Sequence, residues 1–339
     1  MPERSLILAT ATRMAVELGL AADFDRLVNL SFGRTNQPES YVLMKRARTW
    51  FGLIILEQIL QIDAGVLLGL KITGVRRCRV LLDRPFSTWL DVRLFSQVEL
   101  NHLLTKINES LSDNDDVLET VQHARVDIDI WYNDWKRIME SSTLLGNELS
   151  SLLVNLTVQR HWADAVAMCR AIRTTGAQNI DLMTADEKQI LVMEKASLQY
   201  HLDVILTEPH YLANLKYAMD FVWAKCAFCF LLLLKLTRLL PEAAPSDLLS
   251  QGRQLHTELA KVCGYGSSKV YLKLLQLSIE KYAVVENGAQ PADLDAFMPD
   301  EFTFEWDFPG LNLFSSQTGW DMLFDQFLLG DSLLMGMDI

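Results

Sequence analysis

The sequence predicts an all-α protein, in which a large multi-helix domain is followed by an acidic C-terminal tail containing a short amphipathic helix. Apolar residues recur at helical spacing in most long segments. Strand signals are missing, because no sustained period-two alternation is bounded by turn dipeptides. The charge is also uneven: the net charge is −12, yet residues 282–339 contain 11 carboxylate side chains and no lysine, arginine or histidine.

The first predicted helix lies near the N-terminus. Ile7, Ala11, Met14 and Leu18 repeat at helical spacing, which indicates a helix. Gly19 follows the last of them and is a natural stop for the helix.

A second helix is predicted around residues 50–62, where a long apolar stretch ends near Gly65. The segment after it is poorly periodic and contains Gly69, Gly74 and Pro85. Glycine and proline interrupt regular structure, so we expect this segment to be a loop.

The middle of the chain continues the helical pattern. Leu118, Val121, Ile128, Trp135 and Ile138 mark one face of a helix that follows the acidic loop "SDNDD". Two further segments, "LLVNLTVQRHWADAVAMCRAI" and "ADEKQILVMEKASLQYHLDVIL", predict two more helices.

Residues 214–240 are apolar nearly all round, which predicts a buried central helix. Their longest strongly apolar run, 226–234, is nine residues, whereas a membrane span needs about 20, so we expect a soluble protein. Gly, Pro and acidic residues mark 286–300 as a linker. The predicted organisation is therefore a helical regulatory body over 1–285, this linker, and an acidic–aromatic tail over 301–339.

Few residues carry recognisable chemistry. Cys226 and Cys229 form a CxxC pair without a second pair at zinc-binding spacing. We therefore expect two buried thiols that bind no metal and form no disulfide, in a reducing, intracellular setting. The six histidines stand alone, and HExxH, GxSxG and dinucleotide-binding patterns are missing. We expect neither an enzyme nor a cofactor in this fragment, although an enzyme without a recognisable motif stays open.

An apolar ligand cavity is predicted between the helices, with the central helix as one wall. Trp223, Cys226 and Phe230 are spaced by three and four residues and share one side of that helix. Tyr200 and His201, on the preceding helix, are the candidates for polar contacts with the ligand. The interpretation of all five as ordinary core residues stays open.

Three segments together resemble a known family. "SLILATATRMAVELGL" (5–20) resembles the opening helix of the fungal middle homology region, the regulatory domain of zinc-cluster (Zn2Cys6) transcription factors. "RARTWFGLIILEQILQIDAGVLLG" (46–69) is similar to its second element, an apolar helix with an Arg–Trp entry, and residues 227–242 look like its late helix. The resemblance covers residues 1–285. The sequence lacks the family's six-cysteine cluster. The resemblance therefore implies zinc and DNA binding only for a missing domain.

The resemblance implies a nuclear protein, the regulatory and transactivation part of a transcription activator. A small-molecule effector in the helical body would control the tail, and homodimerisation of the full-length protein stays open. The alternative is a helical protein-interaction scaffold without a ligand. Two basic clusters, 45–48 and 75–79, suit either nuclear import or exposed helix ends.

The tail carries an apolar stripe that suits a coactivator groove. The stripe residues fall at i, i+3, i+4, i+7 and i+8: Trp320, Leu323, Phe324, Phe327 and Leu328. Trp306 and Phe308 add further rings upstream. Acidic and aromatic residues mixed in this way are typical of an activation domain. We expect a helix over 319–329 to dock its stripe onto the body and to meet a coactivator once released.

Overall fold

The computed structural model describes residues 2–30, 37–64, 74–113, 116–142, 146–175, 183–218, 220–240, 247–263 and 268–286. The backbone of these ranges is helical nearly throughout, and they contain no β-strand. The all-α prediction is therefore confirmed. The predictions for the tail concern residues outside the described ranges: Trp306, Phe308, Trp320, Leu323, Phe324, Phe327 and Leu328.

The first half of the body consists of α1 (Pro2–Glu17), α2 (Leu20–Asn29), α3 (Gln37–Ala64), a 3-10 helix (Val75–Asp83), α4 (Trp89–Asp113), α5 (Val117–Glu140) and α6 (Gly146–Thr175). The second half consists of α7 (Ala185–Thr207), α8 (Pro209–Ala213), a 3-10 helix (Asn214–Tyr217), α9 (Asp220–Leu239), α10 (Leu248–Val262) and α11 (Ser268–Glu286). Among these elements, no helix is both long and apolar enough to cross a membrane.

Neighbouring helices in the sequence are neighbours in space from α2 to α7, each packing against the next. Helix α9 packs against α7 and α11, and α10 packs against α11. The buried apolar side chains form one cluster that runs from α1 to α11. The body is thus built around a single core, with α6, α7 and α9 meeting inside it.

The predicted central helix is buried as expected. Every residue over 226–234 is buried, which confirms the all-round apolar pattern. The helix is shorter than predicted, however, because the 3-10 helix Asn214–Tyr217 precedes α9. The indole Nε1 of Trp223 donates to the carbonyl oxygen of Leu215 at 3.0 Å and ties the two helices together.

The predicted apolar face of α5 is confirmed. Val121, Ile128 and Trp135 are fully buried, and Leu118 and Ile138 pack partly buried against the core. A stripe of large side chains at helical spacing can only be removed from water by turning that face inward, so the sequence alone determines the orientation of α5.

The predicted first helix is present as α1, but the repeat of apolar residues does not mark its buried face. Ile7, Met14 and Leu18 are 69%, 55% and 59% exposed, whereas Leu8 and Ala15 are buried. Helix α1 packs against α2 and α3.

Two predicted helix ends agree with the structure. Gly19 separates α1 from α2 and has a φ of 71°, a left-handed conformation that glycine adopts without strain. Helix α3 ends at Ala64, next to the predicted stop at Gly65, although it begins at Gln37, well before the predicted start.

The predicted loop before α4 contains the 3-10 helix Val75–Asp83, which corrects the sequence prediction. Distant carboxylates hold this segment: Arg77 donates to Asp25 at 2.9 Å, and both Nε and Nη2 of Arg79 donate to Glu99 at 2.7 and 2.6 Å. Such partners cannot be seen in local periodicity, because they lie on other helices.

Four of the five arginines of the two basic clusters pair with carboxylates of the body. Arg46 pairs with Asp23, and Arg48 donates two hydrogen bonds to Asp91, both at 2.7 Å. Arg77 and Arg79 are paired as described above. These four side chains therefore fasten helices together.

Candidate functional site

Buried polar side chains are concentrated where α6 faces α7. His161 and Asp164 lie on α6, and Ser197 and His201 lie on α7; we call these four residues the polar seam. Their exposed fractions are 5%, 3%, 7% and 3%. The i, i+3 spacing on α6 and the i, i+4 spacing on α7 place each pair on one helix face. Buried polar groups cost free energy unless they find partners, so the hydrogen bonds of the seam are informative.

Ser197 connects the two helices through its hydroxyl. Its Oγ lies 3.2 Å from Nδ1 of His161 and 3.2 Å from Oδ2 of Asp164. Burial raises the pKa of Asp164 to about 6, so at neutral pH this carboxylate is mainly ionised and acts as an acceptor. Ser197 therefore donates to Asp164.

The tautomer of His161 follows from this arrangement. Since the Ser197 hydrogen is used on Asp164, Oγ must accept a hydrogen bond from Nδ1–H of His161. Burial lowers the pKa of His161 to about 4, so the ring is neutral at pH 7. Its Nε2 is then an unprotonated acceptor, and this buried atom has no hydrogen-bond partner among the described residues.

His201 is the second residue of the polar seam with unsatisfied ring nitrogens. Both of its ring nitrogens are buried and meet no hydrogen-bonding atom in the part of the chain that the structure describes. Burial lowers the pKa of His201 to about 3, so one nitrogen is a donor and the other an acceptor. A buried unsatisfied group costs about 1–3 kcal/mol, and such groups call for an explanation, often a functional one.

The border of the seam is aromatic and basic. The Tyr200 ring lies 4.9 Å from the His161 ring between centroids. Lys225, from α9, donates through Nζ to Oε1 of Gln159 at 3.3 Å and lies 4.6 Å from the centroid of Trp162. Burial lowers the pKa of Lys225 to about 7, so this amine is only partly protonated at neutral pH.

The hydrogen bonds of the seam do not follow the order of a catalytic triad. In a catalytic triad the carboxylate orients a histidine, which takes the proton of the serine. Here Asp164 accepts from Ser197 itself, so His161 does not activate the hydroxyl. Within the described ranges, no group of three or more His, Cys, Asp or Glu side chains is placed to hold a metal ion.

A second buried polar contact lies further along the same interface. The thiol of Cys169 donates to Oε1 of Glu194 at 2.9 Å, and Glu194 is completely buried. Burial raises the pKa of Glu194 to about 8, against which the nearby charge of Lys235 acts only in part. The carboxyl group is therefore mainly protonated at neutral pH.

Replacing Glu194 by glutamine is expected to flatten the pH dependence of stability. The pKa of Glu194 rises from 4.5 to about 8 on folding, so folding takes up a proton within this interval. The stabilisation that the folded state gains from this proton uptake is fully present below pH 4.5 and is lost as the pH rises through about 8. Urea unfolding at about pH 5 and about pH 8 measures the slope, from which glutamine removes the contribution of Glu194. The exposed control Glu119→Gln should parallel the wild type; equal slopes for all three proteins would contradict the assignment.

The predicted ligand residues fall into two groups. Trp223, Cys226 and Phe230 are buried on α9, and His201 is buried on α7, but Tyr200 is 57% exposed. The adjacent positions 200 and 201 therefore point to different sides of α7. Only His201 belongs to the polar seam, and Tyr200 borders it from outside through its contact with His161.

Sequence analysis did not identify His161, Asp164 or Ser197. The available signal is weak: polar residues three or four positions apart interrupt faces that are otherwise apolar. The decisive contact joins residues 36 positions apart, and a single sequence does not reveal which helices face each other.

The CxxC cysteines have the predicted buried position. Cys226 and Cys229 are free thiols, each 3% exposed. Burial raises the pKa of Cys226 to about 12 and that of Cys229 further. Both thiols are therefore protonated at neutral pH in this structure.

None of the protein-family models, curated proteins or solved structures compared with the chain matches it. The function must therefore be argued from the residues of the chain itself.

Proposed function

We propose that this chain is the effector-sensing and transactivation part of a fungal zinc-cluster transcription activator. A small-molecule effector binds in the helical body and controls exposure of the C-terminal activation helix. The observation that carries the proposal is the polar seam, where His161 and His201 keep unsatisfied ring nitrogens inside an apolar interior. The three segments that resemble the middle homology region and the acidic tail support it.

The seam is suited to sensing because it joins separate helices. Ser197 and His201 lie on α7, which packs against both α6 and α9. An effector shifts a conformational equilibrium only if it binds one arrangement better than the other. A ligand that satisfies His161 and His201 gains hydrogen bonds only in the arrangement that presents both rings to it, and so stabilises that arrangement.

The predicted ligand residues take defined roles in this proposal. His201 supplies polar contact, and Trp223, Cys226 and Phe230 supply the apolar wall on α9. Tyr200 stands at the solvent side of the seam, over the ring of His161.

The tail is the proposed output. Residues 1–281 carry 31 lysines and arginines against 32 acidic residues, so the body is nearly neutral and the excess negative charge belongs to the tail. Aromatic and leucine side chains provide contact area in a coactivator groove, and the carboxylates steer the segment toward basic surfaces. DNA binding and zinc belong to a missing domain, and the site of action is the nucleus.

A reporter assay tests this output. Residues 287–339, fused to an unrelated DNA-binding domain, should activate transcription. Phe324→Ala with Phe327→Ala should abolish activation, because both rings belong to the apolar stripe. Leu311→Ala with Leu313→Ala removes two apolar side chains outside the stripe and should retain most of the activity.

The masking part of the proposal needs the complete chain. Residues 1–339 fused to the same DNA-binding domain should activate less than residues 287–339 alone, because the body holds the stripe. If the isolated tail activates nothing, the transcriptional proposal is wrong. If both fusions activate equally, the tail is not masked by the body.

A further inference from the structure

We infer that the polar seam recognises an uncharged ligand carrying a hydroxyl or a carboxamide group, which hydrogen-bonds to His161 and His201. The inference rests on the proposed function only for the role of this ligand as an effector. The recognition itself follows from the hydrogen-bonding atoms that the seam presents.

The first of these atoms is Nε2 of His161. The chain of bonds from His161 through Ser197 to Asp164 fixes the proton on Nδ1. Nε2 is therefore an acceptor, buried and without a partner among the described residues. It requires a donor from the ligand.

His201 completes the set. A neutral imidazole has one donor nitrogen and one acceptor nitrogen, and both are buried and unsatisfied in the described part of the chain. Together the two rings offer two acceptors and one donor. A primary carboxamide offers two donors and an acceptor and so complements all three atoms, whereas a hydroxyl offers one donor and two acceptor lone pairs and satisfies one acceptor and the donor.

A ligand with a carboxylate fits this set poorly. An ionised carboxylate only accepts, so it would place lone pairs against Nε2 of His161 and against one nitrogen of His201. It would also approach the ionised Asp164, and only the single donor of His201 would compensate.

A cationic ligand meets the opposite difficulty. An ammonium group only donates, which suits the two acceptors but leaves the donor of His201 unsatisfied. The ionised Asp164 would attract a cation, but three positive side chains oppose it: Lys225 acts on His201, and Arg125 and Arg160 act on His161. Asp129 pairs with Arg160 at 2.6 Å and neutralises only that side chain. An uncharged ligand avoids both difficulties.

The test uses the complete chain with 15N-labelled histidine and four small probes. Benzyl alcohol and benzamide carry the proposed groups, and toluene and benzoate are the apolar and anionic counterparts of similar size. We expect the first two to shift the imidazole nitrogen resonances of His161 and His201 in a saturable way. Toluene and benzoate should leave these resonances in place.

A substitution adds a second measurement. His201→Leu replaces an unsatisfied imidazole by an apolar side chain of similar volume, so the melting temperature should rise while the response to benzyl alcohol and benzamide is lost. The control His123→Leu alters an exposed histidine and should change neither property. The nuclear magnetic resonance titration uses the unaltered chain, so it decides the matter even if His201→Leu does not fold.

Each contrary result is specific. No shift with benzyl alcohol or benzamide up to their solubility limits, or a larger shift with benzoate, overturns the inference. A lower melting temperature for His201→Leu shows that the imidazole serves packing, and also overturns it. If the neutral probes bind at the seam but the fused tail activates nothing, the inference survives and the proposed function fails.

Discussion

Replacing Asp91 by alanine should lower the free energy of unfolding by about 3–5 kcal/mol, the usual cost of removing one partner of a buried ion pair. Asp91 is 1% exposed. It accepts two hydrogen bonds from Arg48, each 2.7 Å long, and two more from the backbone N–H and the hydroxyl of Thr88, at 2.7 and 3.1 Å. The substitution leaves the guanidinium of Arg48 partly buried without its carboxylate.

Chemical denaturation of the wild type and the variant measures this loss. Glu17→Ala is the matched control, because it breaks an ion pair on the protein surface. The side chain of Glu17 is 62% exposed, and that of its partner Arg13 is 81% exposed. Exposed pairs contribute about 0–1 kcal/mol, so the control should remain close to the wild type. Similar losses in the two variants would show that the buried pair of Asp91 and Arg48 contributes no more to stability than an exposed pair.

The Asp91 pair explains a residue that the family resemblance singled out. Arg48 lies in the segment that resembles the Arg–Trp entry of the family's second element, and its Nη2 also donates to the carbonyl oxygen of Phe86 at 2.7 Å. It therefore fixes α3 to the turn before α4. In this chain the arginine of that motif has a structural role.

Replacing Gly252 by alanine should lower the free energy of unfolding by about 1–3 kcal/mol, the usual cost of overpacking a core. A Cβ atom at this position would lie 2.4 Å from Cζ of Phe230. The Phe230 ring is 2% exposed, so neighbouring side chains restrict its movement. The clash opposes the higher helix propensity of alanine, which is worth about 1 kcal/mol.

Gly52→Ala is the matched control for this substitution. Gly52 lies within α3, and a Cβ atom there meets nothing within 4 Å. Alanine should therefore stabilise the protein by about 0.5–1 kcal/mol. Denaturation measures the change in the free energy of unfolding for both substitutions. Changes of opposite sign would separate the effect of the clash from that of helix propensity.

A double-mutant cycle identifies the side chain responsible. Phe230→Leu shortens the side chain, so Gly252→Ala should cost less in that background than in the wild type. The coupling free energy should be clearly non-zero, as is usual for residues in contact. Strictly additive free-energy changes would show that the Phe230 ring does not cause the cost of a Cβ atom at position 252. The close approach of that ring to Gly252 would then not affect stability.

The sequence by itself determined the helical character of the body and several helix ends. The orientation of α5 follows from Val121, Ile128 and Trp135, because a single broad apolar stripe has one low-energy way to leave water. The burial of α9 follows from its lack of a polar face. The stop at Gly19 follows from a local backbone preference. These features depend on residues within a few turns of one another.

Only the tertiary structure decided which faces meet. Helix α1 buries Leu8 and Ala15 and leaves Ile7 and Met14 exposed, a choice that the spacing of apolar residues along α1 does not reveal. The 3-10 helix Val75–Asp83 depends on carboxylates from distant helices. The polar seam depends on the alignment of α6 with α7, which brings His161 to Ser197 across 36 positions. Periodicity shows that a helix has a buried face, but hydrogen bonds between helices form only when their relative positions are set, and the candidate site is made of those bonds.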